Sequence, residues 1–178
     1  VSQPGLERII RFEIEHLDEL GDLCRKYLIV ELMGKHSNII FCTPDDKIID
    51  SIKHISAQIS SVREVLPGRD YFIPQAAGKK DPLSSDEAVF KETLSASQAP
   101  SGKAIYTSFT GLSPVMAEEF CHLASIDADV PAASLSVLEL THLSRTLVLA
   151  MEQVRDGLFS PNILYKEEEP VEFSVKKG

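Results

Sequence analysis

The chain has 178 residues and a formal charge of −9, with 43% apolar and 25% charged residues. These proportions lie near the globular average and exclude wholesale disorder. A chain of this length can bury roughly 70% of its extended surface, so neither disulfides nor a metal is needed to hold a core. No apolar run approaches the ~20 residues of a membrane span, and the acidic balance argues against a nucleic-acid binder held by net charge, because phosphate contacts need Lys and Arg.

In chain order, Arg8–His16 alternates, with Ile10, Phe12 and Ile14 on one face and Arg11, Glu13 and Glu15 on the other, which predicts a strand. The polar stretch 18–22 holds a turn glycine. Tyr27–Met33 is a nearly continuous apolar run, as in a strand covered on both faces. Residues 34–37 interrupt it, residues 38–42 resume it, and a hairpin-like connection at 43–46 leads into a fourth strand at 47–52. Four strands with short turns predict an antiparallel meander.

Pro and Gly gather at 66–70 and 74–82, and beyond them the hydrophobic period changes from two to 3.6. Helices are predicted at about 85–94, 102–108, 114–124 and 134–156. The last carries a stripe of Leu135, Leu138, Leu143, Leu147 and Met151 and a stop at Gly157. Short strands at 163–165 and 171–175 flank a solvated Glu167–Glu169 turn. The reading is α+β: an antiparallel strand-rich lobe (1–75), a linker (76–84), a helical lobe (85–157) and short C-terminal strands (158–178).

Charge divides unevenly between these parts. Residues 1–80 hold 11 Lys+Arg against 12 Asp+Glu, and residues 81–178 hold 7 against 15. A polyanion-facing surface is therefore expected in the first half. Cys24, Cys42 and Cys121 are odd in number and widely spaced, which predicts reduced thiols. The five histidines and three cysteines show no metal-ligand spacing, no nucleophile elbow is present, and no cofactor is implied.

Two segments stand out. Glu31–Ile40 places a glycine between two strands and then presents Lys35, His36, Ser37 and Asn38, groups able to meet phosphate, ribose or base edges. The competing reading is a turn whose Ser37 and Asn38 bond to their own backbone. A phosphate-binding P-loop fails, because Ile29 and His36 stand where a glycine and a Ser or Thr are required. In Phe109–Phe120, Gly111 makes a turn, Ser113 can cap, Pro114 suits the first helical position and Ala117 permits close packing, the pattern of a helix-hairpin-helix. The surroundings favour packing or protein docking over nucleic acid: residues 101–130 carry one Lys and no Arg against Glu118, Glu119, Asp127 and Asp129, and Ser113 replaces the usual second glycine. On the residues alone, Glu7-Arg8 reads as an exposed dipeptide, and Arg63-Glu64 as either a lobe-bridging ion pair or a solvated turn.

Gly5–Ile10, Leu28–Ile40, Ile49–Lys53 and Ser61–Gly68, in that order, resemble the NFACT N-terminal domain of the fibronectin-binding-protein-A-like family, which includes RqcH and NEMF. The resemblance spans essentially the whole chain and is sharpest in Glu-Leu-Met-Gly-Lys-His-Ser-Asn at 31–38. Family members are longer, so the chain is expected to be the later part of their N-terminal module, without its opening segment or the coiled coil and NFACT-R domain that follow. The resemblance implies a cytoplasmic, ribosome-associated quality-control factor. Such proteins bind a large ribosomal subunit obstructed by a nascent chain and recruit tRNA, alanyl-tRNA in bacteria, for template-free tailing. Peptide-bond formation belongs to the ribosome, so a binding factor and not an enzyme is implied.

The family's acid–Arg pair falls on Glu7 and Arg8 for tRNA, with Glu7 where Asp is common, keeping the charge and lengthening the reach. Lys35, His36 and Asn38 follow as candidates for RNA or ribosome contact, and Arg63 as a lobe-positioning residue. A cell-surface adhesin that binds fibronectin, which the family's older name implies, is the alternative. A DNA glycosylase is disfavoured because Pro4 is internal and is followed by Gly5.

Overall fold

The computed structural model describes residues 1–75 and 78–174. Ala76 and Ala77 of the predicted linker, Val175 of the predicted last strand and the following 176–178 lie outside the described residues. The chain divides into two compact units, Val1–Ala77 and Gly78–Gly178.

The first unit is built on a four-stranded antiparallel sheet in the order β1 (Ile9–Leu17), β2 (Leu23–Glu31), β3 (Asn38–Cys42) and β4 (Ile48–Ser51). The meander is therefore as predicted, but β2 begins four residues earlier than its apolar run. The cause is the hairpin before it. The Asp18 carboxylate accepts from the amides of Leu20 and Asp22, both at 2.9 Å, which closes the turn so tightly that the ladder reaches Leu17 opposite Leu23. Cys24, Arg25 and Lys26 are thereby drawn into the strand although they are not strongly apolar.

Strand pairing sets Ile9 opposite Glu31, Ile29 opposite Ile40, and Cys42 opposite Ile48, all on one face. With Val65 they form the buried core, against which Tyr27, Met33, Ile55, Tyr71 and Ile73 pack. The opposite face carries Ile10, Phe12, Leu28, Val30, Ile39 and Phe41, each only half-buried. Two expectations are corrected here. The apolar face read from β1 alone is not the buried one, and the apolar run of β2 is fully covered on one side only. Which face is covered depends on what packs there, and the 55–73 segment lies over the face of Ile9 and Ile29.

In the second unit α1 (Glu87–Ser95), α2 (Ser101–Ser108), α3 (Pro114–Leu123) and α4 (Val137–Arg155) occupy the predicted places. Phe90 of α1 meets Phe109, with ring centroids 4.7 Å apart, in a core completed by Ile105, Phe120, Leu143, Leu147 and Met151. The predicted stripe of α4 is corrected at its start. Ser136 and Glu139 form a reciprocal capping box that begins the helix at Val137. Leu135 is left outside it, and Leu138, on the outer side of the first turn, is 79% exposed. Gly157 (φ 68°) follows the helix in the left-handed conformation predicted for a stop. β5 (Asn162–Lys166) and β6 (Glu169–Ser174) form a separate antiparallel hairpin around Glu167 and Glu168. No helix among the described residues is long and apolar enough to cross a membrane.

Candidate nucleic-acid interface

The meander brings the start of β1, the β2–β3 connection and the exit of β4 to one end of the first sheet. Arg8 lies one residue beyond the Ile9–Glu31 pair, and its carbonyl accepts from the Leu32 amide at 2.8 Å. Pro4–Glu7 forms a turn just before it, with the Glu7 amide donating to the Pro4 carbonyl at 3.0 Å. The connection itself is a single 3-10 turn, Gly34–His36, opened by Gly34 at φ 56°. It is tied off by the Met33 amide, which donates to the Ser37 hydroxyl at 2.9 Å. Lys35 and His36 are exposed on this turn, and Arg8 is exposed beside it.

Asn38 does not join them. It is 4% exposed, its side-chain amide donates to the Lys53 carbonyl and its side-chain oxygen accepts from the Lys53 amide, both at 3.0 Å. It staples β3 to the segment leaving β4, so its RNA-contact assignment gives way to a structural one: the groups that would read a ligand are consumed and covered. The competing turn reading of Ser37 and Asn38 describes both side chains, with Asn38 reaching across to β4 as well as to its neighbour's amide.

Arg63 is held within the first unit. Its guanidinium pairs with Glu31, donates to the Phe72 carbonyl at 2.7 Å and lies over the Tyr71 ring at 5.4 Å. Glu31 is 1% exposed, and its second oxygen accepts from the Tyr71 hydroxyl at 3.2 Å. Burial, then the Glu31 carboxylate, pushes the Tyr71 hydroxyl well above its ordinary pKa. The first residue of the Glu-Leu-Met-Gly-Lys-His motif is thus an internal anchor, directly below the turn that exposes the motif's cations. Nothing in the local sequence marks Glu31 as buried; the pairing becomes visible only when the 63–72 segment folds over the sheet.

The ends of this sheet differ in charge. Arg8, Lys35, His36, Lys53 and His54 gather at one end with Glu7 and Asp50, and Asp18, Glu19, Asp22, Asp45 and Asp46, with Lys47, occupy the two turns at the other. Arg8, Lys35 and Lys53 have no carboxylate within 4 Å among the described residues, whereas Arg11, Arg25, Lys47, Arg63 and Arg69 are each paired. Cations left unpaired and grouped are free to meet an external anion.

In the second unit, Gly111 adopts φ 78°, the Ser113 hydroxyl accepts from the Met116 amide at 3.2 Å, Pro114 opens α3 and Ala117 is fully buried. The amides that begin α2 are already engaged: Ser101 donates to the Val130 carbonyl at 2.8 Å and Gly102 to the Ala128 carbonyl at 3.0 Å. No cluster of His, Cys, Asp and Glu suited to a metal occurs among the described residues.

The family described as NFACT N-terminal and middle domains matches residues 1–177. The chain belongs to this NFACT family. It is 37% identical over 164 residues to the Rqc2 homolog RqcH of Bacillus subtilis, covering 92% of this chain and 27% of that protein. It is also similar in structure to the fibrinogen binding protein from Staphylococcus aureus (TM-score 0.73, 26% identity, 99% of this chain and 60% of that one). A third relative is the N-terminal part of the fibronectin/fibrinogen-binding protein from Streptococcus suis (TM-score 0.70, 28% identity, 98% of this chain and 56% of that one). The NFACT chain therefore spans about a quarter of the curated relative's length.

Proposed function

We propose that this NFACT chain is part of a ribosome-associated quality-control factor and that the basic end of its first sheet faces tRNA. In this role the protein binds an obstructed large ribosomal subunit in the cytoplasm and recruits charged tRNA, alanyl-tRNA in a bacterial setting, for template-free tailing. It positions ligands and leaves peptide-bond formation to the ribosome. The observation that carries the reading is the convergence of Glu7 and Arg8 with Lys35 and His36 at one end of the sheet, with Arg8 and Lys35 unpaired among the described residues. An acidic chain can bind RNA where its cations are concentrated and most of its carboxylates lie elsewhere.

Within this reading Arg8 and Lys35 meet phosphate, Glu7 accepts from ribose or base donors, and His36 supplies a ring for either purpose. Arg63 acts indirectly, by securing Glu31 beneath the turn. The α2–α3 pair, with Glu118 and Glu119 on its second helix, serves packing or protein docking.

The test is recovery of tRNA with the full-length protein carrying Arg8→Ala or Lys35→Ala. Each variant is expected to retain its fold and lose most bound tRNA; unchanged recovery in both removes these residues from the site. The fibronectin- and fibrinogen-binding names of the structural relatives favour a second reading, a surface adhesin. Fractionation of the protein with ribosomes supports the first reading, and fractionation with the cell wall supports the second.

A further inference from the structure

The two readings of the Gly34–His36 turn leave one neighbour without a role. Lys53 follows β4, and its backbone is gripped by Asn38 on both sides, as described above. Its side chain then reaches back across the sheet end, where the ammonium donates to the Lys35 carbonyl at 3.1 Å. That carbonyl belongs to the turn that exposes Lys35 and His36. An ammonium carries three donors, and the Lys35 carbonyl takes one. Lys53 is exposed and has no carboxylate partner among the described residues. Two donors and the positive charge therefore remain available to an outside group.

The charged groups at this end of the sheet limit what can bind. Glu31 is buried and neutralised by Arg63, and Asp50 is bonded to the His54 ring at 2.8 Å, which helps hold its carboxyl below the ordinary range. Glu7, beside Arg8, has no cation within 4 Å among the described residues. Arg8 precedes the edge strand β1, whereas the Lys53 ammonium, bonded to the Lys35 carbonyl, lies at the β2–β3 turn, so the cations reach from β1 to that turn. Cations on neighbouring elements with few free acids among them suit the phosphates of a nucleic-acid backbone.

We infer that Lys53 is a further member of the tRNA-facing surface, clamping the Gly34–His36 turn through the Lys35 carbonyl while its remaining donors contact a backbone phosphate. The inference rests on the tRNA reading above and adds a residue that the motif itself does not contain. Lys53 has two separable effects: it holds the turn in place, and it contributes one phosphate contact.

The experiment titrates salt against binding of bulk unacylated tRNA to the full-length protein, comparing Lys53→Met, Lys53→Arg and Lys26→Met with the parent. Lys26 is in the half of β2 nearer the acidic turns, so its replacement removes equal charge from elsewhere. Lys53→Met is expected to weaken binding about two- to fivefold at physiological salt and to lower the salt slope by about 0.7. Lys53→Arg should restore the slope, and Lys26→Met should leave it at the parent value. In the same samples, amide exchange at His36 and Ser37, which close the turn by donating to Met33 and Gly34, should quicken in Lys53→Met and stay at the parent rate in Lys35→Ala. An unchanged slope in Lys53→Met, with lowered slopes in Arg8→Ala and Lys35→Ala, overturns the inference and keeps the tRNA reading. Unchanged slopes in all three overturn both. Should Lys53→Met fail to fold, Lys53→Gln against Lys53→Arg makes the same comparison with a polar replacement.

Discussion

Replacing Arg63 by Ala tests the buried anchor of the first unit. The substitution strands the Glu31 carboxylate, 1% exposed, with only the Tyr71 hydroxyl at 3.2 Å among the described residues. Removing one member of a buried ion pair costs about 3–5 kcal/mol, because the remaining charge has lost both its partner and its water. Two features place this case near the lower bound. Tyr71 still donates one bond, and the Arg63 side chain is itself 12% exposed, so water can enter the space it vacates. A loss of about 3 kcal/mol corresponds to a rise of about 100-fold in the open population of the unit. Hydrogen exchange at the amides pairing β2 with β3 reads this directly and separates the first unit from the second. Tyr71→Phe should cost only about 1 kcal/mol. The combined Glu31→Leu, Arg63→Met and Tyr71→Phe variant should return close to the parent, since an apolar trio removes the desolvation cost together with the attraction. Exchange in Arg63→Ala within threefold of the parent would refute the argument, as would a combined variant as unstable as the single one.

Two further outcomes follow from the placement of titratable groups. Burial, reinforced by Asp46 for Cys42 and by Glu118 and Asp127 for Cys121, pushes both thiols up to about 11, so they stay neutral and covered at pH 8. Alkylation of the native protein, followed by mass spectrometry, should modify half-buried Cys24 first; equal rates at all three would contradict the packing. In the second unit, the Lys91 and Arg145 side chains hold the Glu87 carboxyl low, and the Ser136 hydroxyl and amide hold Glu139 low. Folded values below the unfolded 4.5 mean that their stabilising effect is complete above about pH 4.5 and is lost as pH falls through the folded values. Helical ellipticity melts between pH 7 and pH 3 should show this acid loss. Glu87→Gln with Glu139→Gln should melt lower at pH 7 and flatten the profile below pH 5; an unchanged profile would refute it.

The sequence by itself determined the order of elements and their type. Alternation, turn chemistry and the capping signals at Ser113, Pro114 and Gly157 act within a few residues, and each is found in place. It also placed the excess acid in the second half and the NFACT motif between two strands. Tertiary structure decided what those residues do. Within one motif of eight residues, Glu31 is buried on Arg63, Lys35 and His36 are displayed, and Asn38 is spent on Lys53. Those differences come from partners 15 to 40 positions away. The same holds for the buried face of the sheet, which the 55–73 segment selects and β1 alone does not. Local sequence fixes backbone conformation through short-range sterics and hydrogen bonding. Burial and charge pairing are set by the segments that fold over it, and for this protein they separate the residues of the site from the residues that hold it up.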